Sequence, residues 1–137
     1  MAKEELFRIP FLRWFLPKVY AFPVRRGLAD RQAIRNAQTV VKEGHLLGIF
    51  PEGTRNRGDG ELLPLRGGTA LISLKTGVPV VPVLICGVQD FRFRQPIKVI
   101  IGNPIYLGGP KKTNRREVDE ASSLILAEFR NLISRNN

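Results

Sequence analysis

A carboxylate, a hydroxyl and a guanidinium fall within four residues at Glu52-Gly53-Thr54-Arg55, directly after the apolar run Leu46, Leu47, Ile49, Phe50 and the helix-breaking Pro51. A short apolar run that stops at Pro and Gly reads as a buried strand opening into a tight polar loop. Arg55 presents a planar fork matched to a phosphate or carboxylate, and strand ends of this kind are where open α/β sheets usually place ligands. A plain surface turn with Glu52 and Arg55 paired to each other fits the same residues. A second basic turn, Arg25-Arg26-Gly27, closes the apolar run Val19 to Val24. Adjacent guanidiniums at a strand end can clamp a phosphate, or can simply be solvated. The sole histidine, His45, has no carboxylate at a helical spacing to orient it as a base, and it reads as a turn residue.

Elements that must hold these turns follow from periodicity and punctuation. Asp30 caps a helix running to about Glu43, with Ile34, Ala37 and Val41 as its apolar stripe and Gly44 as its stop. It forms the crossover of a β-α-β unit ending in the strand Leu46 to Phe50. Arg66, Gly67, Gly68 and Thr69 precede a helix over Ala70 to Thr76 stopped by Gly77; paired glycines there permit close backbone approach and leave amides free to face an anion. Val78 to Ile85 reads as a buried but irregular strand, Ile97 to Ile101 as another, and a short one lies near Ile105 to Leu107. Asn114 with Glu117 caps a last helix to Ser134, striped by Val118, Ala121, Ile125, Phe129 and Leu132. The expectation is an α/β fold: a single domain over 1–137, with a mixed, mostly parallel sheet flanked by helices.

With 22 Lys and Arg against 12 Asp and Glu the net charge is +10, which favours anionic partners such as a lipid surface or phosphorylated substrates. Nucleic acid is not expected, since the arginines gather at strand ends and no known nucleic-acid motif is present. A single cysteine, Cys86, excludes an intramolecular disulfide and a multi-cysteine metal site, fits a reducing compartment, and is expected to be a small buried hydrophobe. No apolar run approaches the roughly 20 residues of a membrane-spanning helix, so membrane contact is expected to be peripheral. Residues Ala2 to Tyr20 interleave Phe7, Phe11, Trp14 and Phe15 with Arg8, Arg13 and Lys18. Pro10 and Pro17 should break them into a turn or two of helix. Such a mixture suits an interfacial element, or else aromatics packed on the sheet.

Phe50-Pro51-Glu52-Gly53-Thr54-Arg55 resembles the signature hexapeptide of the glycerolipid acyltransferases, in particular the 1-acyl-sn-glycerol-3-phosphate (lysophosphatidic acid) acyltransferase family. Phe22-Pro23-Val24-Arg25-Arg26-Gly27 resembles the family's second motif, and Val78 to Ile85 its fourth, near the acyl-chain path, where the run is either packing or a tunnel wall. The resemblance covers Ala2 to about Gly87 and implies transfer of a fatty acyl group from acyl-CoA or acyl carrier protein to lysophosphatidic acid, giving phosphatidic acid. No cofactor beyond the acyl donor is implied. It implies that Arg26 and Arg55 hold the acceptor phosphate, that Glu52, with Gly53 and Thr54, organises the loop, and that the chain lies peripherally on the cytoplasmic face of a membrane. The family's base is a His-x-x-x-x-Asp pair, whereas here the position five after His45 is Phe50. Ala2-Lys3-Glu4-Glu5-Leu6 resembles the segment just after that pair, so the resemblance makes this chain a domain truncated at its N-terminus, through a truncated gene model, a split or decayed gene, or an internal start. The 137-residue chain alone is then expected to be inactive and to leave a strand edge or part of its core exposed; the alternative reading is a non-catalytic module that binds anionic lipid or phosphorylated ligands through the same arginines.

Overall fold

The computed structural model describes residues 2–24, 30–54, 62–87, 96–109 and 112–136. In chain order these form β1 (Ala2–Lys3), a 3-10 turn (Glu4–Arg8), α1 (Pro10–Lys18), β2 (Pro23–Val24), α2 (Arg31–Lys42), α3 (Gly68–Thr76), β3 (Val83–Cys86), β4 (Lys98–Ile101) and α4 (Arg115–Ser134).

Local chemistry sets the helix ends. The Glu117 amide donates to Asn114 Oδ1 at 3.0 Å while Glu117 Oε2 accepts from the Asn114 amide at 3.0 Å, a reciprocal capping box that satisfies two otherwise orphaned donors. Asp30 caps α2 by accepting from the Ala33 amide at 3.0 Å. Gly77 closes α3. The first segment is divided at Pro10 as expected, a 3-10 turn before it and a short helix after it, and Pro10 itself begins α1, because the first helical position needs no amide donor and favours the proline φ; Pro17, also expected to break it, does not. Pro17 sits in the last turn of that helix.

The core is the seam between α3 and α4. Ala70, Leu74, Ala121, Ile125 and Phe129 are buried there, with Leu65, Val80, Leu84, Ile105 and Val118 packed around them. At the entry to α3 the backbone comes so close to α4 that a Cβ on Gly67 would stand 2.7 Å from Val118 Cγ1. The close approach anticipated from the paired glycines is therefore made against α4. Ala33 and Ala37 are the buried positions of α2, small enough to let it lie along α3.

The sheet departs from expectation. Among the described residues, β1 pairs with β2 in parallel over two residues each, and β3 pairs with β4 antiparallel, Val83 opposite Ile101 and Ile85 opposite Val99. A bridge between Val80 and Ile105 extends that antiparallel side. A mostly parallel sheet is not what these strands form. The run Leu46 to Phe50 alternates as a strand should, with Leu47 and Ile49 half-buried and Leu46 and Phe50 exposed, but it joins no ladder among the described residues. Side-chain alternation offers one face to the core; a hydrogen-bonded neighbouring backbone is what makes a sheet strand.

Along β3 and β4 the side chains divide between faces. Leu84 and Ile100 are half-buried, while Val83, Ile85, Val99 and Ile101 form an exposed face of β-branched residues. Cys86 is exposed, contrary to the expectation of burial, at the last residue of a strand of which only Leu84 is half-buried. No helix among the described residues is long and apolar enough to cross a membrane.

If the α3–α4 seam is the core, Ile125→Ala, at 1% exposure, should lower the unfolding free energy by about 2–5 kcal/mol. Its neighbour Leu124→Ala, at 59% exposure, should cost far less. Urea titrations of both variants read the difference, and equal midpoints would contradict the assignment.

Candidate functional site

The Pro51 to Thr54 loop is built by two backbone hydrogen bonds. The Gly53 amide donates to the Phe50 carbonyl at 3.1 Å, closing a four-residue turn with Pro51 second, where a fixed φ favours turning. The Arg66 amide donates to the Pro51 carbonyl at 2.9 Å, which ties the turn to the entry of α3. Gly53 has φ +67°, a region open to glycine and unfavourable to most side chains.

Gly53 also makes room for a neighbour. A Cβ there would stand 2.7 Å from Arg66 Cδ and 2.9 Å from Nε, so the Arg66 stem lies across the bare glycine backbone. The side chain of cationic Arg66, just before α3, is thereby laid over the turn at Gly53. Glu52 is half-buried, and its Oε2 is sealed from solvent with no hydrogen-bond partner among the described residues. Thr69 Oγ1, in the first turn of α3, is sealed and unpartnered in the same way. Buried polar atoms without partners are few in folded proteins and costly, and two of the three among the described residues lie on the segments joined by the Arg66 to Pro51 bond. Thr54 is exposed.

Of the residues expected to bind substrate, Glu52, Gly53 and Thr54 come together on this turn. Arg26 and Arg55, the expected phosphate clamp, lie outside the described residues, as does Arg25. His45 is an exposed turn residue whose amide donates to the Val40 carbonyl at 3.1 Å at the end of α2, in keeping with the sequence reading. Arg66 was visible in the sequence only as a residue before a helix. Its contact with Gly53 depends on how the intervening chain returns, and no local pattern reports that. On the helical side, Arg31, Arg35 and Lys75 ring a groove of about 380 Å³ floored by Ile34 and Leu71 between α2 and α3.

Gly53→Ala should destabilise by about 1–2 kcal/mol from its backbone conformation and by more from the collision with Arg66. Gly44→Ala, at φ +82° in open space, should show only the backbone part. In the double variant Gly53→Ala/Arg66→Ala the excess over Gly44→Ala should vanish in urea unfolding, and an undiminished excess would rule out the Arg66 contact.

A protein-family model described as Acyltransferase matches residues 1–86. The 1-acyl-sn-glycerol-3-phosphate acyltransferase of Bacillus subtilis (strain 168) is 33% identical over 138 residues, covering 96% of this chain and 68% of that protein. The enzyme of the same name from Streptococcus pneumoniae is 31% identical, covering 96% of this chain and 50% of its own length. The chloroplastic BAT2 acyltransferase of Brassica napus is 34% identical, with 98% of this chain and 40% of the relative covered. Among solved structures, the 1-acyl-sn-glycerophosphate (LPA) acyltransferase PlsC from Thermotoga maritima superposes with a TM-score of 0.68 at 27% identity, over 98% of this chain and 55% of that one. The chain thus spans between two fifths and about two thirds of the length of these proteins. With the Phe50 to Thr54 turn built on the entry of α3 and these likenesses running over nearly the whole chain, the protein belongs to the acyltransferase family of the 1-acyl-sn-glycerol-3-phosphate acyltransferases.

Proposed function

We propose that this chain carries the acceptor-binding part of a lysophosphatidic acid acyltransferase of phospholipid biosynthesis. The observation that carries the reading is the Pro51 to Thr54 turn, fixed to α3 by the Arg66 amide and overlaid by the Arg66 side chain. In the reaction, the free hydroxyl of lysophosphatidic acid attacks the carbonyl carbon of an acyl thioester supplied by coenzyme A or acyl carrier protein. A C–O ester bond forms, the C–S bond breaks, and the hydroxyl proton ends on the departing thiolate.

Each residue then has a role. Arg26 and Arg55 grip the acceptor phosphate, for which planar guanidiniums suit the paired oxygens. Glu52 orders the turn through its enclosed carboxylate, and Arg66 adds positive charge beside it. Sharing the +10 net charge of the chain, the site works on the anionic surface in which its acceptor resides, peripherally and on the cytoplasmic face.

Proton removal is the step these residues do not serve. The sequence contains no His-x-x-x-x-Asp, and exposed His45 has, among the described residues, no carboxylate holding it in a base's orientation. The 137-residue chain on its own is accordingly a binder of the anionic acceptor that does not turn it over.

Short-chain lysophosphatidic acid should bind the purified chain by calorimetry, about ten- to a hundredfold more weakly after Arg55→Ala. With acyl-CoA present, no phosphatidic acid should form. Equal affinity for the phosphate-free monoacylglycerol would contradict the acceptor reading. Turnover abolished by His45→Ala would contradict the account of the missing base.

A further inference from the structure

The first helix has its aromatic residues on the outside. Phe11, Trp14, Phe15 and Lys18 follow the spacing i, i+3, i+4, i+7 that puts them on one face, and all four are exposed. On the other side Leu12 and Leu16 are half-buried. Neither α1 nor the 3-10 turn before it buries any residue fully. The stripe is ordered by its own contacts: the Phe11 and Phe15 rings stack at 6.1 Å with an interplanar angle of 5°, Phe11 stands 6.4 Å from Trp14, and Lys18 Nζ lies 3.5 Å from the Trp14 ring centroid. A surface helix of a soluble domain turns its rings inward; this one turns them out and sets a cation on top of its tryptophan.

We propose that the Phe11–Trp14–Phe15–Lys18 face of α1 is the surface by which the chain docks on an anionic phospholipid bilayer, with the rings at headgroup depth and Lys18 against lipid phosphate. The proposal rests on the acyltransferase reading for its setting, an anionic lipid surface, and adds the docking face. Three observations favour this occupant. The one charged residue of the stripe, Lys18, is cationic, which matches negative headgroups. Trp and Phe rings next to cations are the composition of an interfacial helix. A second copy docking through the same stripe would set Lys18 toward Lys18 on two chains that each carry +10. The other uncovered apolar face, Val83, Ile85, Val99 and Ile101, consists of β-branched side chains without a ring or a cation.

Trp14 is the only tryptophan in the sequence, so its emission reports on this face alone. The full chain is mixed with vesicles of phosphatidylglycerol and phosphatidylcholine, or of phosphatidylcholine only, all free of lysophosphatidic acid. Expected with the anionic vesicles are a blue shift of Trp14, quenching by lipids brominated near the headgroup, and binding that weakens with salt. Phe11→Ser/Phe15→Ser should weaken partitioning about tenfold or more, and Lys18→Glu several-fold. Val83→Ser/Val99→Ser should leave it unchanged. Circular dichroism verifies that each variant is folded. A Trp14 spectrum unchanged by anionic vesicles, undiminished binding of the double phenylalanine variant, or a concentration-dependent Trp14 shift without vesicles would each overturn the proposal, the last by showing self-association. Because these vesicles hold no acceptor, a failure here is separate from a failure to bind lysophosphatidic acid.

Discussion

One backbone hydrogen bond, from the Arg66 amide to the Pro51 carbonyl at 2.9 Å, joins the chemically loaded turn to the entry of α3 and so to the packed α3–α4 seam. On one side of that bond lies a loop with a glycine in a left-handed conformation and an enclosed carboxylate. On the other lies α3, whose Ala70 and Leu74 are locked against Ala121, Ile125 and Phe129 of α4. A ligand-binding loop is useful only if its donors stay put, since ordering it at the moment of binding consumes affinity. Here the rigidity is borrowed from a helix seam. Gly53 allows the Arg66 stem to lie flat on the turn, and Gly67 allows α3 to begin hard against Val118. Both glycines serve the same joint, one from the loop and one from the core.

The helices were legible in the sequence because their signals are local. Asp30 before an apolar stripe and Asn114 three residues before Glu117 specify caps whose partners lie within a single turn, and the structure places both. The Glu52-Gly53-Thr54 turn was legible for the same reason. Strand pairing was not, because it depends on a partner elsewhere in the chain. Leu46 to Phe50 has the burial alternation of a strand, yet forms no ladder among the described residues, and a two-residue parallel pair and an antiparallel pair stand where a mostly parallel sheet was expected. Burial of Cys86 failed similarly: an apolar neighbourhood in sequence does not say which of its residues are covered. The Arg66 contact was hidden by loop closure, and the outward turn of the α1 rings by the impossibility of knowing which face of a short helix meets the domain.

The molecule therefore divides into a small, tightly packed core and an unusually apolar exterior. Leu46 is fully exposed, and both the α1 stripe and the outer face of β3 and β4 present large hydrophobic groups to solvent. Apolar exposure of this extent on a soluble domain marks surfaces that meet something. The two faces differ in chemistry, one aromatic and cationic, the other aliphatic and uncharged, and so suit different neighbours. The ring-bearing face with its cation suits a lipid headgroup region, the setting proposed for the acceptor.

The most direct test of the central claim is a heteronuclear NMR titration of the labelled chain with short-chain lysophosphatidic acid, following the amides of Gly53, Arg66 and Thr69. Their resonances should move together and saturate at one concentration, and the phosphate-free monoacylglycerol should leave them in place. Perturbations confined to the Arg31, Arg35 and Lys75 groove, with Gly53 and Arg66 unmoved, would contradict the claim that the turn anchored on α3 is where the phosphate is held.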